Sequence, residues 1–164
     1  AVAGVSGGCL ADAKAIMFLA ILLFVVGFCY GSFIEFFIHK KFFHDFGKKR
    51  GSFFAFHLRE HHLVSRRNDF YDSRFSWREA LGMPLVMALH LPVLAISTPL
   101  YIGMATYGVL FLIIHNTLHR YPSFAKRFFW WHWNHHMKNQ NKSYNVVLPI
   151  ADMVFGTLER PSRP

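Results

Sequence analysis

Ten of the eleven histidines fall into four tight clusters, and no other feature of the chain limits its possible folds so strongly. The clusters are His39 and His44; His57, His61 and His62; His115 and His119; and His132, His135 and His136. The first and third close long apolar runs, and the second and fourth lie in the basic, aromatic segments that follow. Neutral imidazole is the commonest protein metal ligand. Positions i, i+3 and i+4 share a helix face, so His115 and His119 project together and His132, His135 and His136 form a second stripe. His57 and His61 share a face, with His62 beside them. His39 and His44 are five apart and converge only where a helix ends or bends between them. Glu35 sits one turn before His39; with Asp45 and Glu60 it is a carboxylate placed to orient ligand histidines.

The apolar runs set the frame. Residues 15–34 form twenty positions without a charge, enough to cross about 30 Å of hydrocarbon. The run is longer than a signal-peptide core, and no A-x-A cleavage pattern follows it. Residues 81–114 are apolar apart from His90, and as one helix they would extend about 50 Å, too far for a bilayer. Ser97-Thr98-Pro99 supplies a break, because Pro99 lacks an N–H donor and biases Thr98 away from helix. The expectation is an all-α integral membrane bundle with about three crossings, near 15–34, 81–97 and 99–119. One domain results, with a histidine-rich cap from 35–80 and 115–158. His90, alone at mid-span, is read as structural.

Charge supports this topology. Of eighteen Lys and Arg residues, only Lys14 precedes the first run. A hairpin at 97–100 puts the other seventeen on one face, which the positive-inside rule makes cytoplasmic. It also puts all four histidine clusters there. The net charge of +9, interleaved with aromatics, is a pattern also used for single-stranded nucleic acid. Beside transmembrane runs it is better explained as an interfacial belt, and no nucleic-acid partner is expected. Cys9 and Cys29 make no disulfide framework.

Rival chemistries account for fewer of these residues. His57-Leu58-Arg59-Glu60-His61 satisfies the inverted zinc-protease pattern but leaves eight clustered histidines unused. A metal transporter would place ionisable ligands along a mid-membrane path, whereas here they gather at one end. Ten ligands give about five for each of two ions, more than tetrahedral structural zinc needs. A non-catalytic metal-binding membrane protein is the alternative of a different class.

Four segments and one ending carry a resemblance: E-F-F-I-H-K-K-F-F-H (Glu35–His44), H-L-R-E-H-H (His57–His62), H-N-T-L-H (His115–His119), H-W-N-H-H (His132–His136) and L-P-I-A-D-M-V-F-G-T (Leu148–Thr157). In that order, over about residues 34–157, they resemble the fatty acid hydroxylase/sterol desaturase superfamily of integral-membrane oxygenases. The resemblance implies a cytosol-facing helical cap in which the ten histidines hold two metal ions. These are taken to be iron in catalysis, although related proteins can be isolated with zinc. O2 is then the cosubstrate, a lipid reaches the metals from within the membrane, and a C–H bond is hydroxylated or desaturated. No cytochrome-like domain precedes the clusters, so a separate reductase, ferredoxin or cytochrome is expected to deliver electrons. Two spacings depart from relatives. Three residues separate His57 from His61 where many have two, and three separate His115 from His119 where carotenoid hydroxylases usually have four. The second departure and the F-G-T ending favour the fatty acid/sterol branch over the carotenoid hydroxylases; a fatty acyl chain is the first expectation as substrate, and a carotenoid or sterol the alternative.

Overall fold

The structure, a computed structural model, describes residues 6–74 and 76–159; Phe75 and both termini lie outside it. Every regular element among the described residues is helical. Helix α1 (Ser6–Phe37) continues without a break into a π-helix, Ile38–Phe46. A second π-helical stretch, His57–His62, leads directly into α2 (Leu63–Arg67). Then come α3 (Trp77–Leu89), α4 (Leu91–Ile96), α5 (Thr98–Arg120), α6 (Pro122–Phe128), α7 (Trp130–Met137) and α8 (Ile150–Val154).

Helices α1 and α5 form the central pair and run parallel: Gly27 lies against Leu100, and Gly31 against Tyr107. The approach is backbone to backbone. A Cβ at Gly27 would collide with the Leu100 carbonyl, and one at Gly103 with the Phe24 carbonyl. Lipid gives helices no hydrophobic incentive to associate, so small residues that admit close van der Waals contact take over that task. Helix α3 runs antiparallel, with Met83 against Gly108 and the Met87 carbonyl accepting from the Tyr101 hydroxyl at 3.2 Å. The C-terminal ends of α1 and α5 and the N-terminal end of α3 therefore meet at one pole. All four histidine clusters are there.

The hairpin breaks at Ser97, as the Ser-Thr-Pro sequence requires. The Ser97 hydroxyl accepts from the Leu100 N–H at 3.4 Å, and Pro99 occupies the first turn of α5, where no donor is needed. The preceding arm differs from the single 81–97 helix expected. It starts earlier, at Trp77, and divides at His90. Pro92 cannot donate to the Ala88 carbonyl, and its ring excludes a regular turn there. The His90 N–H shifts to the Met87 carbonyl, and its ring nitrogen Nδ1 bonds the released Val86 carbonyl at 2.8 Å. His90 thus repairs the backbone at a kink, a structural task.

Two helical stretches, Leu10–Phe46 and Thr98–Arg120, are long and apolar enough to cross a membrane. Their outward faces stay bare: Phe18 on α1 is 69% exposed, and Ile113 on α5 57%. Leu89 on α3 and Ile96 on α4 are more exposed still. A continuous apolar belt of this kind far exceeds the patches soluble monomers tolerate and suits acyl chains as solvent. At the α1–α5 crossing, Gly103→Leu is expected to cost about 3 kcal/mol, because backbone must move to admit the side chain. Gly82→Ala, with nothing within 4 Å of its added Cβ, is expected to be neutral or to stabilise by up to about 1 kcal/mol. Thermal unfolding in detergent checks the pair.

Candidate metal centre

The pole gathers all ten clustered histidines into two adjoining groups. In the first, ring nitrogens of His39, His44, His57, His62 and His135 lie within 4.8 Å of one another. In the second, the same holds for His61, His115, His119 and His136. His132 completes it, its Nε2 lying 3.2 Å from Nε2 of His119. Where the groups touch, the rings of His62 and His136 stack at 4.0 Å. Nine of the ten residues are fully buried; His61 is partly so.

The two π-helices decide which histidine goes where. Their i→i+5 hydrogen bonding brings residues five apart onto one side. His39 therefore joins His44 without the helix ending between them. His57 likewise pairs with His62, Nε2 to Nε2 at 3.2 Å, rather than with His61 as an α-helical reading expects. His61 turns to the second group, its Nε2 3.1 Å from that of His115. Helices α5 and α7 keep ordinary α geometry. His115 and His119 face the second group, and α7 divides its three, His135 to the first and His132 and His136 to the second.

Outer contacts fix the inner face of the rings. Nδ1 of His39 bonds the Tyr144 carbonyl at 2.5 Å, that of His135 the Lys142 carbonyl at 2.6 Å, and that of His119 the Phe70 carbonyl at 2.9 Å. Carbonyls only accept, so these Nδ1 atoms hold the protons and Nε2 presents a bare lone pair inward. Phe70 adopts φ +77, uncommon for a bulky residue, while its ring stacks on His119 at 4.3 Å and its carbonyl orients that same histidine. Glu79 spans both groups: Oε2 is 3.1 Å from Nδ1 of His115 and Oε1 3.4 Å from Nδ1 of His57. Asp72 stands 3.6 Å from Nδ1 of His61 and is held by Arg74 at 2.9 Å.

Glu35, expected to orient ligand histidines, bonds none of them among the described residues. It accepts from the Tyr107 hydroxyl at 2.5 Å, from Asn145 Nδ2 at 3.2 Å and from the Val146 N–H at 2.6 Å. Asp45 pairs with Lys41, and Glu60 with Arg78. The structure gives the carboxylate contacts to Glu79 and Asp72 instead. Glu79 lies in the first turn of α3, which Ser76 caps by accepting from the Glu79 N–H at 3.3 Å. Its side chain turns inward to the histidines rather than back to Ser76. The work of Glu35 is to fasten residues 144–146. Asp152 assists, accepting from the N–H groups of Tyr144 and Asn145, while Ser32 accepts from the Ala151 N–H and donates to the Leu148 carbonyl. This clasp holds the carbonyls of Lys142 and Tyr144 against His135 and His39. The closing N-V-V-L-P-I-A-D motif is thereby part of the site's scaffold.

Electrostatics favour a cation at the centre. Burial, reinforced by neighbouring histidines, holds His62, His132, His135 and His136 well below the usual imidazole range. Burial also pushes His57 well down, despite its contact with Glu79. Burial would raise Glu79, but His115 and His57 outweigh it and hold the carboxyl well below its usual range. The pole therefore combines neutral imidazoles with a buried carboxylate that forms no Lys or Arg ion pair among the described residues. Ring nitrogens face each other at close range: Nε2 of His39 lies 2.9 Å from that of His57, and Nε2 of His44 3.1 Å from that of His135. Two nitrogens bound about 2.0–2.1 Å from one metal lie about 2.9 Å apart at right angles and about 3.4 Å apart in a tetrahedron. The observed spacings match that range, so the donor set fits a metal in each group.

An apolar cavity of about 620 Å³ opens beside the first group, between α1, α3 and α5. His39 and Glu79 line one end; the walls include Phe43, Met83, Met104 and Phe111; Tyr30 and His90 lie at the other. A slot suited to a hydrocarbon chain thus runs from the buried imidazoles along the helices.

Comparison with known proteins agrees with this geometry. Residues 24–157 match the Fatty acid hydroxylase family. Over 83 residues, 48% of this chain, the sequence is 36% identical to dihydroceramide fatty acyl 2-hydroxylase FAH2 of Arabidopsis thaliana, of which the match spans 35%. No solved structure matches. With a family match that takes in all four histidine clusters and the clasp, the chain belongs to the fatty acid hydroxylase family.

Proposed function

We propose that this chain is a multi-pass membrane hydroxylase that inserts one oxygen atom of O2 into a C–H bond of a lipid acyl chain. Its polar pole faces the cytoplasm, and a separate protein delivers electrons. The observation that carries the reading is the junction of the two histidine groups with the apolar cavity, His39 belonging to both. His39, His44, His57, His62 and His135 would hold one ion and His61, His115, His119, His132 and His136 the other. Iron in both places supplies the redox chemistry that O2 needs to attack an unactivated C–H bond. The overall change balances as lipid C–H, O2, two electrons and two protons giving lipid C–OH and water.

The chain's own residues do the rest. The outer carbonyls fix the rings of His39, His119 and His135, and Glu79 that of His115, so that Nε2 points inward, which raises ligand basicity and prevents tautomer exchange. Glu79 supplies negative charge to both halves at once. The cavity walls hold an acyl chain and exclude water, so that oxidation falls on substrate rather than solvent. A membrane-dissolved lipid enters sideways between α1 and α3, where the cavity walls are apolar and the outer surface is bare.

Metal content tests the assignment: two ions per chain are expected, with His44→Ala and His132→Ala each losing one. Glu79→Gln is expected to weaken retention in both halves by about 10–100-fold, as outer-contact losses do. Glu35→Gln is expected to loosen the clasp and affect the first half alone, through His39 and His135. Lipid mass spectrometry with isotopically labelled O2 tests the reaction. Incorporation of one labelled oxygen that disappears in His135→Ala supports hydroxylation; metal flux across vesicles without lipid oxidation overturns it.

A pH dependence follows from the depressed histidines. Their folded values lie below the unfolded value near 6.5, so acid favours the unfolded state, which binds the extra protons. The stability they contribute is complete above about pH 6.5 and declines as pH falls toward the folded values. Each such histidine adds up to about 1.4 kcal/mol per pH unit. Metal-stripped protein is expected to lose thermal stability steeply below about pH 6.5, and loaded protein only at lower pH.

A further inference from the structure

Arg78 is the one Lys or Arg among the residues that line the largely apolar cavity. This guanidinium is poorly committed. Only Nη1 bonds Glu60, at 3.2 Å to each oxygen, and Glu60 is itself 58% exposed. The guanidinium rests against the Phe56 and Trp77 rings, 5.0 and 5.2 Å from their centroids, which orients it without using its donors. Its other N–H groups make no hydrogen bond among the described residues. The two carboxylates that also line the cavity are engaged elsewhere, Glu35 in the clasp and Glu79 on the histidines.

We propose that Arg78 is the anchor for the carboxylate of a fatty acyl substrate, taking it in place of Glu60. An exposed ion pair is weak, so a carboxylate arriving on a chain already buried in the cavity displaces Glu60 readily. The planar fork of arginine suits two-point contact with such a group. Position then sets which carbons are near the metals. The Arg78 guanidinium lies against the Phe56 ring, which is itself 6.3 Å from the His57 ring, so the carbons next to the carboxyl lie nearest the histidines. The remainder of the chain runs toward Met87 and His90. This inference rests on the proposed reading of the cavity as the lipid site and adds the kind of head group it selects.

Binding separates it from the reaction itself. Equilibrium binding of radiolabelled stearate and of its methyl ester to the full chain in nanodiscs, at about pH 8 where the carboxyl is ionised, gives an acid-to-ester preference. The expected preference is about tenfold or more, falling to near one in Arg78→Gln and rising in Glu60→Gln. A preference near one in the unaltered protein, or one unchanged by Arg78→Gln, overturns the proposal. Should Arg78→Gln fail to fold, Glu60→Gln decides alone: a raised preference supports the anchor, and an unchanged one overturns it. Oxidation without an acid preference would leave the hydroxylase reading standing and remove the anchor; an acid preference without oxidation would do the reverse.

Discussion

Bare imidazole lone pairs, pointed at one another inside a protein, repel. The rest of the structure is arranged around that fact. Carbonyls of Tyr144, Lys142 and Phe70 and the carboxylate of Glu79 hold protons on the outer nitrogens, leaving the inner ones as unscreened acceptors. Burial prevents protonation from relieving the conflict. A cation relieves it, and the spacing of the nitrogens suits one. Viewed this way, the long helices are a frame: α1 and α5 cross at glycines so that their ends bring His39 and His115 to a common level.

Several parts of this arrangement were legible in the residues. The four clusters, the break at Ser97 and the shared pole follow from periodicity, proline chemistry and bilayer thickness. All ten clustered histidines do come together. Less legible was the pairing within clusters, because the helical register changes locally from α to π, and no side-chain pattern announces an i→i+5 turn. The split at His90 was missed for a related reason. Pro92 was hidden in a run whose apolar character suggested continuity, while the turn at Ser97 carried polar residues as well.

Carboxylates were the hardest to place. Glu35 precedes His39 by one turn, which on an α-helix stacks it below that ring. The helix loosens after Phe37, and the side chain is captured by Tyr107, Asn145 and Val146 from remote parts of the chain. Glu79 reaches His115 and His57, 36 and 22 positions away, and Asp72 reaches His61, 11 away; such contacts depend on tertiary packing that spacing alone does not encode. For each of these carboxylates a partner distant in sequence decides where the side chain goes.

The clasp has a bearing on when the centre can form. His39 lies at the end of the first helix, yet the carbonyl that fixes its ring belongs to Tyr144, and Asp152 in turn secures that stretch. During synthesis the early histidines emerge long before the residues that aim them. Until the segment through Thr157 has docked on Ser32 and Glu35, the first group is a set of freely turning rings with little selectivity for any ion. The order in which these rings are fixed therefore follows the docking of residues 142–157 and not the order of the histidines along the chain.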